Sequence, residues 1–549
     1  MRTSRGRSPG SLDAIALLVA LLFMMPIAAV VFSVFAPGTG AWSHLASTVL
    51  PEYIGNTLWL LAGVAAGVVF LGVGSAWLVS MCRFPGAGVF EWLLVLPLAM
   101  PAYVIAYAYT DFLQFAGPVQ SLLREATGWR AREYWFPEIR SLGGAMAMFS
   151  LVLYPYVYLL ARAAFLEMPV SAFEAGRTLG YGAWRGFYSL ALPLARPGIA
   201  AGAALALMET LADFGTVSYF AVQTFTTGIY RAWLSLGDPV AAAQLATLML
   251  TFVAAILVLE RANRGSSRFY NPGRRSRMSP YRLHGANAWV AVCACAVPVL
   301  FGFLLPAGIL ARMAFAEGDA HFFSPRMLDL VANSFTLAAI TAAAAIFLAV
   351  IMAYAGRTDR GILVAAAHRI AGLGYAIPGA VIAVGILVPV ARLDNLINEW
   401  MISAFGTGPG LLLTGSIVAL IYAYLVRFLA VALQTVEAGL SKVTPSMDDA
   451  ARGLGFSPAR TLFKVHVPIV RGSMLAAGLL VFVDVMKELP ATIVMRPFNF
   501  DTLAVQAYNF ASDERLAEAA TASLVIVAVG LLPLFLLCRA IAAGGRKER

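Results

Sequence analysis

Apolar runs of about 20 residues recur from one end of this 549-residue chain to the other. That recurrence restricts the fold more than any single motif. Inside a bilayer no water reaches the backbone, so every N–H and C=O must be paired within a helix or a closed barrel. Barrel strands read as alternating segments of about 10 residues. These runs are longer and apolar on all sides, which selects helices. Only 12% of the residues are charged, against roughly 25% in soluble domains, so there is too little charge to cover a water-facing surface.

Twelve membrane helices are expected, at 13–36, 55–82, 89–113, 142–166, 197–221, 237–260, 286–315, 330–355, 364–391, 411–434, 472–494 and 517–541. The first apolar run, Ala14 to Phe35, exceeds the roughly 7–15 residues of a signal-peptide core and reads as a retained helix. The net charge of +10 is concentrated in MRTSRGR, in 261–277 and in the terminal GGRKER. Such clusters stay on the cytoplasmic side and make membrane lipid a natural contact. Both termini, the loops 167–196 and 435–471 and the linker 261–284 then face the cytoplasm. Segment 114–141 falls outside despite Arg124, Arg130, Arg132 and Arg140, because it is long and also carries Glu125, Glu133 and Glu138. Nucleic-acid binding is excluded for want of a compact soluble domain. Cys82, Cys293, Cys295 and Cys538 form no CxxC pair and are expected to be small buried hydrophobes.

The sequence repeats. Asn56-Thr57-Leu58 matches Asn333-Ser334-Phe335, and Ala99-Met100-Pro101 matches Ala376-Ile377-Pro378, both at an offset of 277 residues. The architecture is therefore expected to be all-α and polytopic, with two six-helix halves, 1–260 and 286–549, joined by the basic linker 261–285. Six is an even number, so the halves run parallel. They are expected to be related by an axis along the membrane normal, with a pathway between them.

A polar loop is also used twice, at an offset of 275: EAGRTLGYGAWRGFYSLALP (174–193) and DAARGLGFSPARTLFKVHVP (449–468). Identities fall at Ala175/Ala450, Arg177/Arg452, Leu179/Leu454, Gly180/Gly455, Arg185/Arg460, Pro193/Pro468 and Arg196/Arg471. Ser171 with Glu174 suggests a capping box. Gly180 and Gly455 stand where a helix end needs positive φ. A second short helix, with Pro193 or Pro468 leading into the next span, completes an expected helix–turn–helix outside the bilayer. An amphipathic helix lying on lipid would be the plainer reading of one copy. Two copies at equivalent positions favour an apolar knob that docks on a partner protein.

These loops resemble the EAA motif, EAA-x3-G-x9-I-x-LP, of ATP-binding-cassette importer permeases. The resemblance extends to the twelve spans and two fused halves. In ETLADFGTVSYFAVQTFTTGIYRAWLSLGD (209–238) and KELPAT (487–492) the chain most resembles the fused ferric-iron permeases. That resemblance implies the type I ABC importer transmembrane fold and a bacterial inner-membrane location. It implies two copies of an ABC ATPase as partners, docked on coupling helices carrying Glu174, Ala175, Gly176 and Gly180 and Asp449, Ala450, Ala451 and Gly455. It also implies a periplasmic or lipid-anchored solute-binding protein. The departures are Gly176 for the second Ala, Asp449 for Glu, and Leu190, Val465 and Val467 for Ile or Leu. No GxxxxGK[ST] occurs, so no phosphate-cradling loop is expected here. ATP and Mg would sit on the partner, with no cofactor bound by this chain.

Ionisable residues inside a bilayer are costly and usually face a cavity or a partner. Glu209 and Asp213 stand four apart, as do Asp484 and Glu488, and the 275 offset superposes the pairs; Lys487 adds one positive charge. Two readings stay open: pairing across the halves with Lys487 and helix N–H groups, or a cation-tolerant lining of the pathway. Tyr103, Tyr107 and Tyr109 nearby read as packing aromatics. Gly215 and Pro490 follow the carboxylates and are expected to break the helices. The DFG at 213–215 lacks the other kinase elements, and the five histidines show no metal or triad spacing, so no enzyme site is expected. The rival from another class is a secondary transporter of major-facilitator type, which also has parallel six-helix halves. Within the ATP-driven class, a thiamine or phosphonate permease is the alternative.

Overall fold

The computed structural model describes residues 11–36, 41–130, 133–168, 170–264, 281–316, 322–358, 361–441 and 443–547. MRTSRGR and most of the basic linker lie outside them. The described chain is almost entirely helical; its strands are two-residue pieces, Cys82–Arg83 paired in parallel with Tyr281–Arg282. Among the described residues eleven helices are long and apolar enough to cross a membrane, or twelve when one bent pair counts as a span. The chain is a multi-pass all-α membrane protein. Cys82 and Cys295 are buried as expected, whereas Cys293 is exposed.

Two compact units emerge, and neither is a sequence half. One combines Met1–Trp42, Ile229–Thr247 and Phe322–Gln506; the other combines Ser43–Gly228, Leu248–His321 and Ala507–Arg549. Each is built on three packed helices. In the second unit these are Leu50–Met81, Leu142–Leu166 and Leu192–Ala212. In the first they are Pro325–Thr358, Ile417–Leu440 and Val467–Met486. In the first unit the N-terminal helix, Ser11–Phe32, packs on Ile362–Leu373 and Gly379–Phe405. In the second, Leu305–Ala316 packs on the C-terminal helix Leu516–Lys547.

Small residues set how near the helices come, since lipid supplies no hydrophobic drive for their association. A Cβ on Gly202 would sit 2.6 Å from Val157 Cα and 2.9 Å from Tyr156 O, both fixed backbone atoms. Gly202→Leu is therefore expected to separate Leu192–Ala212 from Leu142–Leu166 and cost about 1–3 kcal/mol or more. A lowered melting temperature in detergent would register it, and an unchanged one would contradict the close approach.

Three expectations need correction. The third span of each half is broken. Pro101 (φ −61°, ψ 143°) and Pro378 (φ −59°, ψ 141°) are extended, as are Met100 and Ile377 before them. A proline disfavours helical backbone in the preceding residue, and in the first copy the chain turns by 91° there. The expected spans 197–221 and 472–494 are both shifted toward the N-terminus, to Trp184–Ala212 and Pro458–Met486. They stop short because Asp213 and Glu488 cap new short helices instead of continuing the old ones.

The same shift removes the separate second loop helix. Ala183–Gly186 and Pro458–Thr461 run straight into the membrane spans through one widened turn each, Phe187–Ala191 and Leu462–His466. Leu192 N–H donates to Phe187 O and Val467 N–H to Leu462 O, five residues back. Pro193 and Pro468, one residue further on, have no N–H to give, and the widened turn accommodates that missing bond.

Candidate functional site

The two EAA-like loops have the same geometry. Val170–Thr178 and Pro445–Gly453 are helical, and Gly180 (φ 78°) and Gly455 (φ 74°) reverse the chain after them. Tyr181 N–H bonds to Gly176 O and Phe456 N–H to Ala451 O, both at about 3 Å, the six-to-one bond of a Schellman end. Arg185 lies over the Tyr181 ring at 4.4 Å, and Arg460 over the Phe456 ring at 4.5 Å. Each arginine stands on the short helix that continues into the membrane. Leu179 and Leu454 project from the turns, 72% and 75% exposed. Glu174, Ala175, Asp449 and Ala450 are exposed, whereas Gly176 and Ala451 are buried. A Cβ on Gly176 would come within 2.8 Å of Leu190 Cδ1, the end of a side chain that can turn aside, so the fold does not require glycine where the motif has alanine. Ser171 lies inside its helix and does not cap it. In the second copy Thr444 takes the cap position, and its hydroxyl meets the Ser446 hydroxyl at 2.8 Å rather than a backbone N–H of the helix. The Glu174 capping box is therefore not formed.

The loops differ in how they are tied to the rest of their own unit. Phe173, fully buried, anchors the first. Trp77 on the preceding long helix packs on Phe165, Phe187 and Tyr281. The second has Asp448 where the first has Phe173, His466 for Ala191, and Tyr354 for Trp77. Arg357 reaches Asp448 Oδ2 at 2.7 and 2.9 Å, His466 Nε2 reaches Oδ1 at 2.6 Å, and Tyr354 Oη donates to Pro458 O at 3.0 Å. Arg357 also donates to Leu440 O and Val443 O. Asp449 instead pairs locally with Arg452 on the exposed face. Sequence reasoning weighed Asp449 because it stands in the motif. It passed over Asp448, whose partners are remote in sequence.

Burial opposes the charge on Asp448, but hydrogen bonds from Arg357 and His466 outweigh it and hold the carboxyl below its ordinary value. A depressed carboxyl adds stability that is complete above its unfolded pKa, about 3.9, and is lost as pH falls through the folded one. Amide protection across 445–456, referenced to 170–181 and corrected for intrinsic exchange, is expected to hold down to about pH 4 and to fall below it. Loss near neutrality would contradict this tether.

Two of the four membrane carboxylates, Asp213 and Glu488, cap helices. Asp213 accepts from Thr216 N at 2.8 Å, Thr216 Oγ1 at 3.2 Å and Val217 N at 3.4 Å, and so caps Gly215–Tyr219. Glu488 accepts from Ala491 N at 2.9 Å, Thr492 N at 3.1 Å and the Thr492 hydroxyl, and so caps Pro490–Met495. The 275 offset holds, and Gly215 and Pro490 begin the new helices as expected. Asp213 is extended (ψ 134°) beyond a helix that ends at Ala212. It therefore does not share a helical face with Glu209, which is half-buried. Lys487 pairs with Asp484 at 2.9 Å within its own unit, and Arg427 pairs with Glu488 at 3.2 Å. Arg427 went unnoticed in the sequence, although a lone arginine at the centre of the apolar run 417–440 is a signal of the same kind as the carboxylates. Among the described residues no three His, Cys, Asp or Glu side chains group to hold a metal ion.

Residues 68–260 match the family described as the binding-protein-dependent transport system inner membrane component. Over its length the chain is similar to the Fe(3+)-transport system permease protein FbpB 2 of Haemophilus influenzae, 24% identical over 97% of this chain and 98% of that protein. It is also similar to the ferric transport system permease protein FbpB of Actinobacillus pleuropneumoniae, 22% identical over 96% and 77%. The molybdenum transport system permease protein ModB of Escherichia coli matches a shorter stretch, 28% identical over 34% of this chain and 82% of that protein. Over nearly its whole length the chain is thus similar to ferric transport permeases, and part of it matches the inner membrane component of binding-protein-dependent transport systems.

Proposed function

We propose that this chain is the membrane subunit of an ATP-driven ferric iron importer. Two copies of an ABC ATPase would dock on the loops at 170–181 and 445–456. ATP and Mg belong to those partners, and a solute-binding protein on the outer face delivers the ion. The observation that carries the docking role is the duplicated turn. Two loops in different units expose the same leucine beside a positive-φ glycine, over the same arginine–aromatic stack. Because the stacked arginine stands on a helix continuous with a membrane span, displacement of the knob moves the span. ATP-driven closure of the partners would in this way become alternation of the pathway between outward and inward access. Similarity to the two ferric permeases over nearly the whole chain favours iron over molybdate, since ModB matches only a third of it. Cytoplasmic termini follow from the basic clusters.

Uptake of labelled ferric iron into vesicles holding the permease with its ATPase and binding protein tests this reading. It is expected to need ATP and to stop with vanadate. Uptake that survives vanadate and dies with an uncoupler would overturn it in favour of a secondary transporter. Leu179→Asp and Leu454→Asp, each placing a charge on a knob, are expected to release the ATPase from the membrane fraction.

A further inference from the structure

The unit formed by Ser43–Gly228, Leu248–His321 and Ala507–Arg549 contains a cavity of about 480 Å3 with a largely polar lining, including Asp111, Arg140, Ser218, Tyr219, Tyr508 and Glu514. It lies beside the start of Leu142–Leu166, a helix about 37 Å long at 1.5 Å per residue, whose other end leads into the first coupling loop. The cavity therefore opens on the face opposite the ATPase-docking side.

Three observations point to a ligand. First, the oxygen donors that the first half contributes are not repeated in the second. At the repeat offsets Tyr103, Tyr107 and Asp111 correspond to Ala380, Val384 and Val388, and Ser218 and Tyr219 to Ile493 and Val494. The repeat keeps the coupling turns and the helix caps but not these groups, so the shared architecture does not require them. Second, Tyr107 packs against the lining residue Tyr219. Its ring meets that of Tyr219 edge-on at 4.7 Å, and it is only 1% exposed. Its hydroxyl has no hydrogen-bond partner among the described residues, and the ionisable groups close enough to act on it are Tyr103, Tyr508, Asp213 and Tyr219. A buried hydroxyl left unpaired costs about 1–3 kcal/mol, and a phenylalanine would fill the same space without that cost. Third, the one guanidinium in the lining is already engaged. Arg140 donates to Tyr219 O at 3.0 and 3.2 Å and lies over that ring. Asp111 is paired with Arg312 at 3.3 Å; the carboxylate of Glu514, the phenol of Tyr219 and the hydroxyl of Tyr508, 3.0 Å from Ser218 Oγ, are the other ionisable groups of the lining.

We propose that this cavity and the adjoining Tyr107–Asp213 step form an oxygen-donor site that receives the ferric ion before it passes into the membrane. Ferric iron is a hard, highly charged cation that favours carboxylate and phenolate oxygens over nitrogen or sulfur. Glu514 supplies negative charge in the cavity, and Asp111 adds a carboxylate that is paired with Arg312. Tyr508, Tyr219 and Tyr107 supply phenol oxygens, each giving up its proton to water as it binds. Asp213 uses three of about four carboxylate lone-pair sites on its helix cap. The proposal rests on the iron reading above.

The test uses the purified permease–ATPase complex in nanodiscs with ferric nitrilotriacetate as the probe. The readouts are the visible phenolate-to-ferric charge-transfer band and the apparent ferric affinity. Wild-type protein is expected to develop the band. Tyr107→Phe and Tyr508→Phe remove one oxygen each without changing shape. Each is expected to weaken the band and lower affinity at least about tenfold, the scale for losing a group that supports a metal site. Glu514→Gln is expected to lower affinity and leave the band's position unchanged. Tyr109→Phe, whose hydroxyl donates to Phe301 O instead, is expected to leave both intact. ATP-driven iron uptake with no band, or a band that survives both phenylalanine variants, overturns the site and leaves the iron reading standing. Absence of iron uptake by the wild-type complex overturns the iron reading and the site with it.

Discussion

Gly180→Val and Gly455→Val are each expected to remove most ATP-driven uptake while leaving the membrane helices folded. A Cβ added at either glycine meets nothing within 4 Å, so crowding is not the cause. The cost is conformational. Both residues hold φ near +75°, where an L-residue pays about 1–2 kcal/mol and a β-branched one more. That strain is relieved by opening the Schellman turn, which swings Leu179 or Leu454 away from the position proposed for docking. Asparagine tolerates this backbone region far better, so Gly180→Asn and Gly455→Asn are expected to restore most uptake. A bulk effect would not discriminate between the two substitutions in this way. The loops are also expected to differ. The second keeps its Arg357–Asp448–His466 tether when the turn is strained, so Gly455→Val should retain more uptake than Gly180→Val. Uptake, ATPase stimulation and melting temperature measured on the same preparations decide it. Valine variants that transport like wild type would remove the turn from the coupling mechanism.

The features legible in the sequence share a cause: each is a residue type with a strong local preference, repeated at a fixed offset. Gly180 and Gly455 announced positive φ. Pro101 and Pro378 matched each other, and both prove to break their span. Asp213 and Glu488 signalled something polar in the bilayer. What could not be read was the competition between local options. Asp213 and Glu488 were placed on helical faces by their spacing. As carboxylates followed by Gly215 or Pro490, they gain more by accepting N–H groups from a new helix than by prolonging the old one. Pro193 and Pro468 read as helix starts because proline suits a first turn, yet a single widened turn lets the helix run through them. Asp448 and Asp449 are adjacent, and only the fold decides which of them meets Arg357, 91 residues away. The division into units was hidden for the same reason. That Ser11–Phe32 packs on helices more than 300 residues later leaves no trace in its own apolar pattern.

Glu488→Ala is expected to be the most destabilising single change in the membrane region. Glu488 and Arg427 are 2% and 7% exposed. Gly379 leaves the room they need, since a Cβ there would lie 2.7 Å from Glu488 Oε1 and 3.0 Å from Arg427 Nη1. Removing one partner of a buried pair strands the other charge, at about 3–5 kcal/mol. Alanine at 488 strands the arginine and also uncaps Pro490–Met495. Arg427→Met is expected to be milder, because the helix N–H groups of Ala491 and Thr492 still support the carboxylate. The double variant Arg427→Met with Glu488→Gln keeps a capping oxygen and buries no charge. It is expected to be more stable than Glu488→Ala. The first half already contains this simpler arrangement. Asp213 caps Gly215–Tyr219 there, and buried Val152 stands at the position of Arg427, so the cap alone suffices to break and restart a span. Arg427 is then an addition in the second half, one that keeps Glu488 paired and fixed. Melting temperatures in detergent for the three variants carry the comparison. A Glu488→Ala protein as stable as wild type would show that the buried pair contributes nothing to the fold.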